Sequence, residues 1–516
     1  MTSARRTLPH HFHPLGRLLA PVLAILSLGA CAGSTQQPRP LTAPPLSRPV
    51  TDDQAAFETP RIEAVLDAHT ASRRIDGNAF RLLVNGSASF ARRFENARNA
   101  DLILVKTFIF SDDETGRAVA DLLSERARAG ATVILQYDIK GSVGGMADVK
   151  EMLAHAGPGV PFGEKAIIRR MREAGVRIVA TNPPGRRLEL ERWGRDLDEL
   201  FRHPLITLEA RLKSFRIMGF FDHEKYWITG KRLEDGRVDL AAIMGGMNIA
   251  SEYAYGGTPR VDAVSGRGGW RDTDVEARGP IVNAIVERFF DVMEYHLKLP
   301  RDEEIRKTWN VPQPTVGNVS ARFVFNHPRR KQTRALQRLY RVLIDAAPAG
   351  SMIRLETAYF APGKELRGTL ERAMDRGVTV EVLSNSEKTN DITVVSDASR
   401  YIYFKLLEHS PRFRLYERIP RPDIGESTLH SKVASFGWRG PIVVGSFNLD
   451  AQSGEHNSES VLVIYGGTIR PAFDAMFLQD IAPDRAVRIT RETFAGVSTW
   501  TRLKQGVLQT LGWYWL

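Results

Sequence analysis

Two long stretches of the chain carry the same order of apolar and polar positions. In the first, Leu102–Phe110 is apolar almost without interruption, Thr115–Ala129 places apolar residues at helical spacing, and Gly130–Tyr137 is again a short apolar run. In the second, Met352–Phe360, Leu366–Asp375 and Gly377–Leu383 follow in the same order. Short apolar runs bounded by glycine read as buried strands, and the stretch between them as a helix. The pieces Arg128-Ala129-Gly130-Ala131-Thr132-Val133 and Asp375-Arg376-Gly377-Val378-Thr379-Val380 are near copies, which marks an internal repeat. Strand alternating with helix predicts the α/β class, as two similar α/β/α halves. Pro300, Pro312, Pro314 and the charges among them interrupt the periodicity, so the first half is expected over 61–305 and the second over 306–516.

The chain ahead of the repeat has another character. Arg5, Arg6 and Arg17 flank the apolar run Leu18–Leu28, which is shorter than the roughly 20 residues of a spanning helix. That pattern predicts a signal peptide over 1–30. Its end, Leu28-Gly29-Ala30-Cys31, resembles the lipobox of bacterial lipoproteins, which implies acylation of Cys31, the one cysteine of the chain. With Ala32 behind it, the resemblance implies an exported protein anchored by lipid to the cell envelope, at the periplasmic side of the outer membrane. Residues 31–60 hold Pro38, Pro40, Pro44, Pro45 and Pro49 among Ser, Thr and Gln, a composition that favours an extended tether.

The net charge of +11 suits an anionic surface and does not choose between lipid and nucleic acid. Arg329, Arg330, Lys331, Arg334, Arg338 and Arg341 give a basic start to a helix before Ala347, either a membrane-facing patch or a solvated face. Leu503, Val507, Leu508, Leu511 and Trp515 share one face of a C-terminal amphipathic helix, with Arg502 and Lys504 nearby. An interfacial helix and a helix docked on its own domain both fit.

The candidate chemistry comes in two copies. His223-Glu224-Lys225, Gly245-Gly246-Met247-Asn248 and Trp270-Arg271-Asp272 stand in the first half. His430-Ser431-Lys432, Gly445-Ser446-Phe447-Asn448 and Asn457-Ser458-Glu459 stand in the second. Residues i and i+2 of a strand face the same side, so each histidine and lysine should project together. The lysine gives a fixed charge for a phosphate, the asparagine amide a neutral donor, and the small residues before it let the backbone approach an oxyanion. Gly246 and Ser446 are therefore candidate phosphate contacts. A histidine backed by a carboxylate can act as nucleophile or as acid and base near neutral pH. A serine hydrolase does not fit, because Gly445-Ser446-Phe447-Asn448 lacks the second glycine of the nucleophile elbow. No H-E-x-x-H segment or cysteine pair suggests a metal, and no cofactor is expected.

Both H-x-K…G-[GS]-x-N segments resemble the twin motifs of the phospholipase D superfamily, and Gly245–Tyr253 and Gly445–Ser453 read much like those of bacterial cardiolipin synthases. The resemblance spans roughly residues 75–480. It implies a pseudo-dimer with one active site between the halves, built from His223, Lys225, Asn248, Asp272, His430, Lys432, Asn448 and Glu459. In such families a later carboxylate orients each histidine, which points to Glu459 and leaves Asp272 and Asp274 as choices in the first half. The implied chemistry is phosphatidyl transfer through a phosphohistidine, with His223 as nucleophile and His430 as acid and base. Hydrolysis of phospholipid or nucleic acid, or an inactive phosphate-binding homologue, would use the same residues. Phospholipids and a membrane surface are the expected partners, and nucleic acid is not favoured. One departure stands out: the family writes H-x-K-x4-D, and this chain has Gly230 and Gly437 at the aspartate positions, where tighter turns are expected.

Overall fold

A computed structural model of the chain describes residues 53–143, 146–154, 164–182, 191, 220–263, 266, 268–297, 302–326, 334–391, 393–467 and 469–494. The lipobox with Cys31, most of the tether, Arg329, Arg330, Lys331 and the C-terminal helix lie outside the described residues.

The first half contains strands β1 (Ile75–Val84), β2 (Leu102–Thr107), β3 (Thr132–Asp138), β4 (Arg177–Thr181), β5 (Tyr226–Arg232), β6 (Val238–Gly245) and β7 (Thr273–Arg278). The second contains β8 (Val319–Phe325), β9 (Met352–Thr357), β10 (Thr379–Ser384), β11 (Phe413–Arg418), β12 (Lys432–Phe436), β13 (Ile442–Gly445), β14 (Ser460–Tyr465) and β15 (Ala486–Ile489). The spatial order is β15-β11-β10-β9-β12-β13-β14-β8-β1-β7-β6-β5-β2-β3-β4. Reading outward from the β1–β8 junction gives the same sequence of strands on both sides, with β15 as one extra edge. The repeat seen in the sequence is thus a repeat of topology, and the α/β fold of two similar halves follows from it.

Alternation along each strand explains the uninterrupted apolar runs. Ile103, Val105, Val133 and Leu135 face a core on the outer side of the first sheet, with Leu123, Ile167 and Met171 from its helices. Leu102, Leu104 and Ile134 point the other way, into a central core shared by both halves. There they meet Leu462, Ile464 and Val444 of the second sheet, and Phe289 and Phe477 from helices Ile281–Leu297 and Ile469–Asp480. A strand covered on both faces has no polar side to show.

The N-terminal segment departs from its expected place. Helix Pro60–Thr70, capped by Thr59, packs on helix Ala335–Ala346 of the second half, and Phe57 and Leu66 lie in that half's outer core. Residues 53–60, expected within the tether, are already ordered against the domain. Asp53 accepts hydrogen bonds from the backbone N–H groups of Trp438 (2.7 Å) and Arg439 (2.8 Å).

The two glycines that replace family aspartates part company. Gly437 lies in the turn after β12 at φ +69°, where a Cβ would stand 2.5 Å from the carboxylate of Asp53. A carboxylate from far away in sequence fills the volume beside it. Gly230, expected in a turn, lies inside β5, paired with Leu102 and Leu240. A Cβ there would press on Leu240, Trp309 and Leu102, so apolar packing replaces the polar turn.

Candidate active site

Each histidine sits just ahead of a strand, at the end of the sheet where β2, β3, β9 and β10 finish. The segment Asp222–His223 runs parallel to Ser458 of the other half: His223 N donates to Ser458 O (3.0 Å) and Ser458 N to Phe221 O (2.9 Å). The segment Leu429–His430 does the same with Arg271: His430 N donates to Arg271 O (2.7 Å) and Arg271 N to Thr428 O (2.7 Å). These two short bridges stitch the halves together and set each histidine beside a carboxylate it does not share a motif with.

The orienting carboxylates are therefore exchanged. His223 Nδ1 lies 2.9 Å from both carboxylate oxygens of Glu459, and His430 Nδ1 lies 2.7 Å from Oδ2 of Asp272. Pairing each histidine with the acid of its own half would be mistaken. Asp274, the other choice in the first half, is bound to Arg93 (2.7 Å) and Ser89 (2.6 Å) and plays no part here. A carboxylate at Nδ1 fixes the tautomer and leaves Nε2 for chemistry.

Lys225 and Lys432 are both buried and donate to the carbonyls of His223 (2.7 Å) and His430 respectively. The charges of Lys225 and Lys432 each depress both histidines, and His223 depresses His430. Burial, the larger cause, together with these cations holds both imidazoles well below the usual histidine value. Burial also lowers Lys225 to about 7 and Lys432 to about 8, and raises Asp272 to about 6 and Glu459 to about 8.

Each asparagine keeps one buried amide atom without a partner. Asn248 Oδ1 accepts from Ile109 N (3.0 Å), which leaves Nδ2 buried with no acceptor. Asn448 Oδ1 is buried with no donor, and a half-turn of that amide presents Nδ2 in its place. Gly246 and Ser446, expected to touch phosphate, serve the carboxylates instead. A Cβ at Gly246 would stand 2.4 Å from Oδ1 of Asp272, and its N–H is turned toward Thr273 O. The Ser446 hydroxyl donates to Glu459, which Asn457 Nδ2 also approaches (3.3 Å).

Sequence reasoning missed the ring walls. Phe108 meets the His223 ring edge-on at 4.9 Å, while Tyr253 and Trp270 flank His430 at 5.0 and 5.5 Å. Their signal was position, since Tyr253 closes the Gly245–Tyr253 motif and Trp270 immediately precedes Arg271. Among the described residues no cluster of His, Cys, Asp or Glu is placed to hold a metal ion, and no helix is long and apolar enough to cross a membrane.

A family model described as "Cardiolipin synthase, PLD-like domain" matches residues 342–481. Among solved structures, the phosphatidylserine synthase of Haemophilus influenzae Rd KW20 superposes with a TM-score of 0.54 at 12% identity, covering 85% of this chain and 95% of its own. The fold is the two-half phospholipase D-like one, with the paired histidines at the seam between its halves. Its sequence is similar to those of cardiolipin synthases. "Probable cardiolipin synthase YwiE" of Bacillus subtilis is 26% identical over 436 residues, 83% of this chain and 70% of that protein. Cardiolipin synthase A of Pseudomonas aeruginosa is 26% identical over 420 residues (80% and 69%), and cardiolipin synthase B of Salmonella typhimurium 25% over 444 (84% and 87%).

Proposed function

We propose that this chain moves a phosphatidyl group from one phospholipid to the hydroxyl of another through a phosphohistidine, as a cardiolipin synthase-like transferase held at the envelope by acylated Cys31. The exchange of carboxylates carries the reading: neither histidine is correctly oriented until the two halves meet, so both belong to one site. Similarity to cardiolipin synthases over most of the chain supports phospholipids as substrates.

In the first step His223 Nε2 attacks the phosphorus, the bond to the leaving alcohol oxygen breaks, and His430 Nε2–H protonates that oxygen. In the second, the incoming hydroxyl gives its proton to His430 and attacks, and the P–N bond breaks. Lys225, Lys432, Asn248 and Asn448 hold the non-bridging oxygens as charge builds. The depressed histidines suit this order. His223 is neutral and nucleophilic before substrate arrives, while a bound anionic diester offsets the lysines and returns proton affinity to His430.

Incubation with radiolabelled phosphatidylglycerol vesicles, then with DNA, tests the reading. A diphosphatidyl product supports it, phosphatidic acid alone makes the protein a hydrolase, cleaved DNA makes it a nuclease, and no product makes it an inactive homologue.

A further inference from the structure

Two asparagines stand at equivalent places, Asn85 directly after β1 and Asn326 directly after β8. Each donates its backbone N–H to the carbonyl of an orienting acid: Asn85 N to Asp272 O and Asn326 N to Glu459 O, both at 2.8 Å. Their side chains then differ. The Asn326 amide turns back on its own half, to the carbonyls of Ser453 (3.0 Å) and Gly454 (3.2 Å). The Asn85 amide crosses the seam, and its Nδ2 donates to Oε1 of Glu426 (2.8 Å), four residues ahead of His430. Glu426 is buried, and its other oxygen pairs with Arg418 and Arg485 (2.7 Å), both of its own half.

We propose that Asn85 and Glu426 are positioning residues for His430: one asparagine holds the backbone of the orienting acid and, through Glu426, the segment that carries the histidine. The proposal rests on His430 being the group that exchanges a proton with the alcohol. Backbone bonds already lay this segment on the first half, from Gly257 N to Gly425 O (3.2 Å), Ser427 N to Gly269 O (2.9 Å) and Arg271 N to Thr428 O (2.7 Å). They fix which residues lie side by side. The amide adds a contact of one polarity, since a carboxylate accepts and an amide nitrogen donates. Arg418 and Arg485 draw Glu426 toward the second half and Asn85 draws it toward the first, so the amide sets how near His430 stands to Asp272. A proton donor misplaced by a fraction of an ångström loses rate steeply.

Asn85→Gly in the full chain removes the amide alone, because Asn85 sits at φ +66°, which glycine adopts freely, and the backbone N–H remains. On phosphatidylglycerol, whose leaving alcohol needs a proton, kcat should fall about 10-fold with KM unchanged. On a p-nitrophenyl phosphodiester, whose leaving group departs without a proton, the burst should keep its rate and amplitude. Equal losses on both substrates make the amide a brace for the whole site, losses on neither make it dispensable, and each overturns the assignment. Asn85→Asp sets two carboxylates against each other and should lose more. Adding Glu426→Gln to it restores a donor and an acceptor with the net charge kept, so kcat should rise again, and no recovery counts against the pair. Proton NMR of the histidine-labelled chain reads the geometry without turnover. The Nδ1–H resonance that His430→Ala removes should move upfield in Asn85→Gly, while the one that His223→Ala removes stays; movement of both or of neither overturns the proposal. A wild type that leaves phosphatidylglycerol intact sinks the transferase reading, while these resonances still decide the positioning.

Discussion

Around His223 the buried charges are Lys106, Asp222, Glu224 and Arg288; around His430 they are Arg271, Glu356, Arg418 and Asp480. Lys106 and Glu356 hold the same position, fifth in β2 and in β9, with opposite sign. At the first place the ion pairs are local to one half: Lys106 with Asp222 (2.8 Å) and Glu224 (3.0 Å), and Arg288 with Glu224 (2.9 Å). From the other half two neutral groups meet Arg288, the Ser458 hydroxyl (2.9 Å) and the Asn326 carbonyl (3.5 Å). At the second place Arg271 crosses the seam to Asp480 (2.7 Å) and Glu356 (3.3 Å). Both seams nonetheless make the same backbone bridges and present a histidine to a carboxylate. The backbone fixes the geometry of the reaction, and the side chains around it are free to decide how firmly each seam is held.

The largest effect should follow from removing the histidines, and it should separate them. Both His223→Ala and His430→Ala should lower kcat by at least about 10³ on phospholipid, since no other group is placed to take either role. On a phosphodiester with a p-nitrophenol leaving group, which departs without a proton, His430→Ala should still give a burst of one nitrophenol per site. His223→Ala should give none. Stopped-flow absorbance reads the difference, and a burst from His223→Ala instead would reverse the two roles.

How much of this was open to sequence reading can be judged residue by residue. The histidines, lysines, asparagines and Glu459 were legible because the chemistry repeats and each copy is compact in sequence, while Asp272 could not be told from Asp274. The exchange of Asp272 and Glu459 was not legible, because it depends on which segments run side by side across the seam. Nor was the Asp53 contact with Trp438 and Arg439, which spans most of the chain and looks in sequence like the end of a tether. Gly246 and Ser446 were found for a sound reason, close backbone approach, but what approaches is a protein carboxylate. Apolar runs predicted the strands well, since burial on both faces leaves little ambiguity of period.

Cutting the charged seam should cost more than cutting the neutral one. Arg271→Ala strands Glu356, which burial already pushes up to about 7, and takes one of the two arginines from Asp480. Removing one partner of such a buried pair costs about 3–5 kcal/mol. Arg288→Ala leaves Lys106 on Glu224 and should cost less. Denaturant unfolding of both variants checks the order, and equal losses would mean the seams are held alike.

The two glycines give a smaller contrast. Gly230→Asp would bury a carboxylate against Leu240, Trp309 and Leu102, at a cost of about 2–4 kcal/mol. Gly437→Asp meets a polar turn but collides with Asp53, so alone it should destabilise by about 1–2 kcal/mol through strain and like charge. Adding Asp53→Ala should recover part of that loss, because the new carboxylate then has the Trp438 and Arg439 N–H groups within reach. Thermal unfolding of the double variant no better than Gly437→Asp would show that Asp53 does not fill the missing aspartate's place.

The smallest effect concerns Asp138, the last residue of β3, and Asn385, the residue after β10, which stand at equivalent places. Asn385 Oδ1 accepts from Leu429 N (2.9 Å), just before His430; Asp138 Oδ2 accepts from Asp222 N (2.8 Å), just before His223. One half holds its histidine segment with an amide and the other with an acid. Burial pushes Asp138 up to about 7, with Asp222 adding to the shift, against the N–H donors of Asp222, Gly141 and Asn182. An acid raised in the folded state binds more protons there than in the unfolded chain, so its contribution to stability falls as pH climbs from about 4 to about 7. Asp138→Asn does not titrate and loses one acceptor, the one facing Gly141 N, at a cost of about 1 kcal/mol near pH 4. The deficit should shrink as pH rises and vanish or reverse by about pH 7. Unfolding free energies of both proteins across that range check it, and a gap that widens with pH would show Asp138 ionised throughout, held charged by its three N–H donors.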